Sequence, residues 1–161
     1  TAAITLPDGV VVAALVAVNA FGDVIDPATG RVVAGVRTAD GKGLADARVL
    51  LRRGTALKKP VGENSTIGVV ATNAKLTKTQ ATKVAQMAHD GLARSISPVH
   101  SLADGDTLFA LATGTLAGEA DASRIGALAA EAVADAVLRA ARAARGLPGL
   151  PAARDLQPAS R

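Results

Sequence analysis

The chain has 161 residues with 49% hydrophobic content, no cysteine, no Trp or Tyr and a net charge of +4, enough apolar material for one domain with a buried core. Ala, Val, Leu and Ile make up nearly all of that content, which excludes aromatic platforms for stacking nucleic-acid bases, and the lack of cysteine excludes disulfides and thiolate metal sites. No apolar run reaches the ~18 residues of a membrane span and the amino terminus lacks signal-peptide order, so no membrane partner and a cytoplasmic location are expected.

In chain order, Ala2 to Leu6, the turn Pro7-Asp8-Gly9 and Val10 to Val18 read as a β-hairpin. Its second strand is apolar on both faces, as a strand covered by layers on both sides must be. Asn19 follows, where the strand gives way to Phe21-Gly22. Its amide could aim two N–H donors into a cleft and stabilise an oxyanion, or simply cap the turn. Asp23 to Ala34 forms a second hairpin, with Asp26-Pro27 opening the turn and Gly30 closing it.

The excess positive charge is confined to one stretch. Between Arg37 and Lys59 the net charge is +5, leaving −1 for the rest of the chain. With Gly41, Gly43 and Gly54 inside that stretch and Pro60 and Gly62 just after it, a solvated connector at about 37–64 is expected. A nucleic-acid arm is not, because no groove-reading motif accompanies the charge.

Glu63-Asn64-Ser65-Thr66 then delivers a small hydroxyl residue onto the first position of the β-branched run Ile67 to Ala74. At Asn64-Ser65 a serine oxygen can attack its own preceding carbonyl, shift the acyl group from nitrogen to oxygen and let water release a new amino terminus. Ser65 would then carry nucleophile and base together, since an α-amine has an ordinary pKa near ~8. The same dipeptide is also a common turn or cap.

Thr77 with Gln80 three positions on is a capping box, and Val84, Met87, Ala88, Gly91 and Leu92 give the following helix one apolar stripe ending before Ser97-Pro98. Met87 and Gly91 read as packing residues. His89 and His100 are the only histidines, and His100 with Asp104 and Asp106 could offer metal donors, but the spacing fits no established zinc or calcium loop. No cofactor is expected. Asp104 and Asp106 flank Gly105 just before the strand Thr107 to Thr113, where paired carboxylates can orient an ammonium or form a plain Asp-Gly turn. Asp121 to Ala144 is the clearest helix, with Ile125, Leu128, Ala129, Ala132, Val133, Ala136, Val137 and Ala140 on one face. The tail 147–161 has nothing to bury and is expected to be disordered.

Three blocks in order resemble one family. Asn64-Ser65-Thr66-Ile67-Gly68-Val69-Val70-Ala71-Thr72-Asn73-Ala74, Ala88-His89-Asp90-Gly91-Leu92-Ala93-Arg94 and Asp104-Gly105-Asp106-Thr107-Leu108-Phe109-Ala110-Leu111-Ala112-Thr113-Gly114 are similar to the self-processing S58 peptidases. That family includes L-aminopeptidase/D-esterases, β-peptidyl aminopeptidases and nylon-oligomer hydrolases. The resemblance implies an α/β fold, the layered αββα sandwich of the DmpA/ArgJ-like group with mixed sheets covered by helices. This chain would be its carboxy-terminal half, one partial domain. Residues 1–64 would end the α-subunit portion and 65–146 would form the β-subunit portion.

The resemblance further implies a catalytic set of Ser65, Asn19, Asp104 and Asp106. Cleavage would fall between Asn64 and Ser65, Asn19 would hold the oxyanion, and Asp104 or Asp106 would hold the Ser65 amine or a substrate amine. Ser65 stands where the nylon-oligomer branch has Thr, while Asp104-Gly105-Asp106 follows that branch. Expected partners are a small aminoacyl or oligoamide substrate, the missing upstream segment of the same protein and further copies in a homo-oligomer. The alternative is a non-catalytic subunit that completes a sheet in a larger assembly.

Overall fold

Gly9, at φ +84°, turns the chain back after Leu6, and Ala2–Thr5 (β1) pairs antiparallel with Val11–Ala17 (β2). Asp23–Ile25 (β3) and Val32–Ala34 (β4) form the second hairpin, where the Asp26 carboxylate accepts the Ala28 amide at 2.9 Å. A computed structural model of the chain describes residues 1–55, 64–102 and 104–158.

The chain continues through Gly43–Leu44 (β5), the short helix Ala47–Arg52 (α1), Ile67–Thr72 (β6), the helix Lys78–Ser95 (α2), Ile96–Ser97 (β7) and Thr107–Ala112 (β8). It ends with the helix Ala122–Ala143 (α3), a 3-10 turn at Ala153–Asp155 and Gln157–Pro158 (β9). The main sheet runs β1-β2-β6-β8. Its β2–β6 pairing is antiparallel and its β6–β8 pairing parallel, so the sheet is mixed as expected. A smaller sheet, β4-β3-β7, lies beside it.

Both long helices start where the capping chemistry places them. Thr77 accepts the Gln80 amide while Gln80 accepts the Thr77 amide, and Asp121 accepts the amides of Ser123 and Arg124. Gly91 on α2 lets α3 approach closely, since a Cβ there would run into the Ala130 carbonyl and the Val133 side chain. Together the helices cover one face of the sheet. Val12, Ala14, Val16, Val70 and Leu108 pack against Val84, Ala88, Leu92, Ile125, Ala129, Val133 and Val137 in one apolar cluster.

The other face of the same sheet is also apolar but is left uncovered by the described residues. Leu15, Ile67, Phe109 and Leu111 are each at least half exposed on it, at 57%, 52%, 64% and 50%. The expectation of layers on both sides of β2 is therefore met on one side by helices. The architecture is a layered α/β one with mixed sheets, consistent with one helix layer and one sheet layer of an αββα sandwich.

Two segments differ from expectation. Residues 37–55 carry β5 and α1 rather than a featureless connector; 56–63 lie outside the described residues. The reason is Asp23, which is fully buried and accepts the Val36 amide at 2.8 Å and the Ala47 amide at 2.7 Å, fixing the start of α1. Burial pushes the Asp23 carboxyl above its ordinary value, while the Ala47 and Val36 amides pull it down. In the tail, expected to be disordered, Arg154 donates to the carbonyls of Arg142 and Ala143 and closes the end of α3, and β9 pairs with β5. Residues 159–161 lie outside the described residues. Among the described residues no helix is long and apolar enough to cross a membrane.

Candidate active site

The parallel pairing of β6 with β8 continues below both strands, because Asn64 bridges Asp104 and the Gly105 amide donates to the Asn64 carbonyl at 2.8 Å. The Thr107 amide donates to the Thr66 carbonyl at 3.0 Å. This ladder places Ser65 beside Gly105 where two strands begin. On the other side of β6, the antiparallel ladder with β2 ends at Ala17 paired with Ile67, and Asn19 follows two residues beyond the end of β2. Ser65 and Gly105 thus lie side by side just ahead of β6 and β8, and Asn19 lies just past the end of β2, the strand on the other side of β6. Asn64 is buried, Ser65 half-buried and Asn19 exposed.

Asp104 and Asp106 take different roles. The Asp104 carboxylate accepts both the amide and the hydroxyl of Ser101, at 2.8 and 2.7 Å, and closes the loop ahead of β8. The Asp106 side chain is buried; its Oδ1 accepts the Thr66 amide at 2.8 Å and its Oδ2 stands 3.4 Å from His100 Nδ1. The His100 ring lies against the His89 ring, with centroids 5.1 Å apart. Burial and the neighbouring His100 hold His89 below the ordinary histidine value, against the weaker pull of Asp106 and Asp90.

Asp104 or Asp106 is expected to hold the Ser65 amine or a substrate amine; in the uncleaved chain Asp104 closes its own loop and Asp106 turns inward to the backbone beside Ser65. Among the described residues no group of three or more His, Asp or Glu is gathered as a metal site. The Thr66 hydroxyl is buried without a hydrogen-bond partner among the described residues.

Sequence reasoning gave no role to Gly105, nor did it foresee the His89–His100–Asp106 arrangement. A Cβ built on Gly105 would stand 2.5 Å from Ser65 Oγ, so the serine hydroxyl occupies the space a side chain would take. The signal available was a glycine at the position that pairs with the candidate nucleophile. Reading it needed the parallel register of β6 and β8, which residue types alone do not supply.

The solved L-aminopeptidase D-Ala-esterase/amidase from Ochrobactrum anthropi, described as a variant of the Ntn hydrolase fold, superposes with a TM-score of 0.57 at 18% identity, covering 90% of this chain and 39% of that one. The sequence model of peptidase family S58 matches residues 1–154, and the chain belongs to that family. It is 38% identical to an uncharacterized aminopeptidase of Mycobacterium tuberculosis over 98% of its own length and 51% of the relative's. It is 36% identical to a 6-aminohexanoate-oligomer endohydrolase of a Kocuria strain over 49% of its length and 25% of that protein. The chain therefore spans about half the length of the mycobacterial relatives it matches.

Proposed function

We propose that the protein carrying this chain is a self-processing amino-terminal-nucleophile hydrolase with Ser65 as its nucleophile. Cleavage after Asn64 frees the Ser65 amine, which takes the hydroxyl proton as Ser65 attacks an amide or ester carbonyl. Asn19 donates to the oxyanion and water releases the acyl group. Asp106 holds the strand start through the Thr66 amide, the residue next to the new terminus.

The observation that carries this reading is the placement of Ser65 against Gly105 at the start of β6 and β8, in a chain of family S58. The substrate class we assign is a small aminoacyl amide or ester, or a linear oligoamide, in keeping with what the named relatives act on. The open apolar face of the main sheet supports a second sheet lying over it, supplied by upstream polypeptide of the same protein, as an αββα sandwich requires.

The same open face also fits a non-catalytic subunit that completes a partner's sheet. Incubating the protein with p-nitroanilides of small amino acids and with an aminohexanoate oligomer separates the two. Turnover that is abolished in Ser65→Ala supports the hydrolase, and no turnover with a folded protein supports the subunit.

A further inference from the structure

Gly105 meets the residues on either side of the Asn64–Ser65 bond in two ways. Its amide donates to the Asn64 carbonyl oxygen at 2.8 Å, the oxygen that becomes negative when Ser65 attacks. Its α-carbon faces Ser65, so that an added Cβ would meet Ser65 Oγ at 2.5 Å, Ser65 Cβ at 3.6 Å and the Asn64 oxygen at 3.8 Å. Gly105 is not among the positive-φ glycines, so the backbone there does not call for glycine; the space does.

Resting on the Ser65 reading above, we propose that Gly105 is a catalytic residue of self-cleavage. Its N–H is the donor that stabilises the oxyanion on the Asn64 carbonyl, and its missing side chain keeps open the place of the attacking hydroxyl. The step balances without a co-reactant other than water. Ser65 Oγ bonds to the Asn64 carbonyl carbon, the carbon–nitrogen bond breaks, and the hydroxyl proton ends on the departing nitrogen as the Ser65 amine. Water then hydrolyses the Asn64–Ser65 ester to a carboxylate and a free hydroxyl.

The hydrogen bond already exists in the uncleaved chain, and its acceptor gains charge in the transition state. A donor fixed in place before reaction strengthens at that moment with no reorganisation, and losing one such donor lowers rates by about 10²–10³-fold. An ordinary ladder bond with no catalytic part would affect stability and leave the cleavage rate unchanged.

Cell-free translation of the full chain, with glycolic acid placed at position 105 by nonsense suppression, replaces the Gly105 N–H with oxygen and leaves the chain otherwise intact. Cleavage is followed over time by mass spectrometry of denatured samples, with Gly105→Ala and Ser65→Ala in parallel, and unfolding midpoints are taken on each. The ester variant is expected to cleave about 10²-fold more slowly than the parent, and Gly105→Ala to slow at least as much, because its methyl displaces the hydroxyl. If the ester variant does not fold, the rate of Gly105→Ala decides. Parental cleavage in the ester variant, or in Gly105→Ala where that decides, overturns the role of Gly105. The Ser65 reading survives that result as long as Ser65→Ala stays whole. Cleavage of Ser65→Ala between residues 64 and 65 overturns the underlying reading itself.

Discussion

Asp106 stands between Thr66 and His100: one carboxylate oxygen accepts the Thr66 amide at 2.8 Å and the other lies 3.4 Å from His100 Nδ1. The carboxylate is buried, so the amide it accepts has no solvent to replace it. Asp106→Ala is expected to destabilise the protein by about 1–3 kcal/mol, the cost of leaving a buried amide unpaired. Urea unfolding of Asp106→Ala against the parent measures this, and an unchanged midpoint contradicts it.

The Thr66 side chain presents the opposite case. Its hydroxyl is buried with no hydrogen-bond partner among the described residues. Thr66→Val removes the unpaired polar group at nearly constant volume, so it is expected to leave stability unchanged or raise it by about 1–3 kcal/mol. A lower thermal midpoint in Thr66→Val would show that the hydroxyl is satisfied by a partner outside the described residues.

His89 gives a pH dependence with a definite sign. Burial and then the nearby His100 hold its folded value below the unfolded value near ~6.5. In the window between the two, the unfolded chain binds the extra proton, so this contribution to stability is present at neutral pH and is lost as pH falls through ~6.5 toward the folded value. Denaturant unfolding at a series of pH values from 7.5 down to 5.5 should show the slope, and His89→Gln should flatten it. A slope that persists unchanged in His89→Gln assigns it elsewhere.

The contact between α2 and α3 depends on a single missing methyl group. A Cβ at residue 91 meets the Ala130 carbonyl, which is backbone and cannot move aside as a side chain can. Gly91→Ala gains about 1 kcal/mol in helix propensity on α2 but overpacks this contact, at a cost of about 1–3 kcal/mol. Net destabilisation in thermal unfolding is expected; a stabilised Gly91→Ala would mean the helices part without cost.

What the sequence made legible was local. Thr77 with Gln80 and the apolar stripe from Val84 to Leu92 marked α2, and the Asp26-to-Gly30 turn marked the β3–β4 hairpin, because each signal lies within a few residues of its consequence. The segment 37–55 was opaque because its order comes from Asp23, which reaches Val36 and Ala47 from a distant strand. Its glycines and basic residues pointed to solvent while Arg48, paired with Asp46, also donates to the Gly30 carbonyl. The tail was opaque for a similar reason, since Arg154 finds the carbonyls of α3 only after the chain folds back. At the site, Asn64, Ser65 and the Asp104-Gly105-Asp106 run stood out by residue type. Their division of labour did not, because it follows from a parallel register that no single segment encodes.

Intact mass measurement of the purified, denatured protein tests the central claim most directly. The parent should resolve into two polypeptides whose masses place the break between Asn64 and Ser65, while Ser65→Ala stays whole. A parent that remains a single polypeptide while hydrolysing its substrate, or a Ser65→Ala protein that splits at the same bond, would contradict the account.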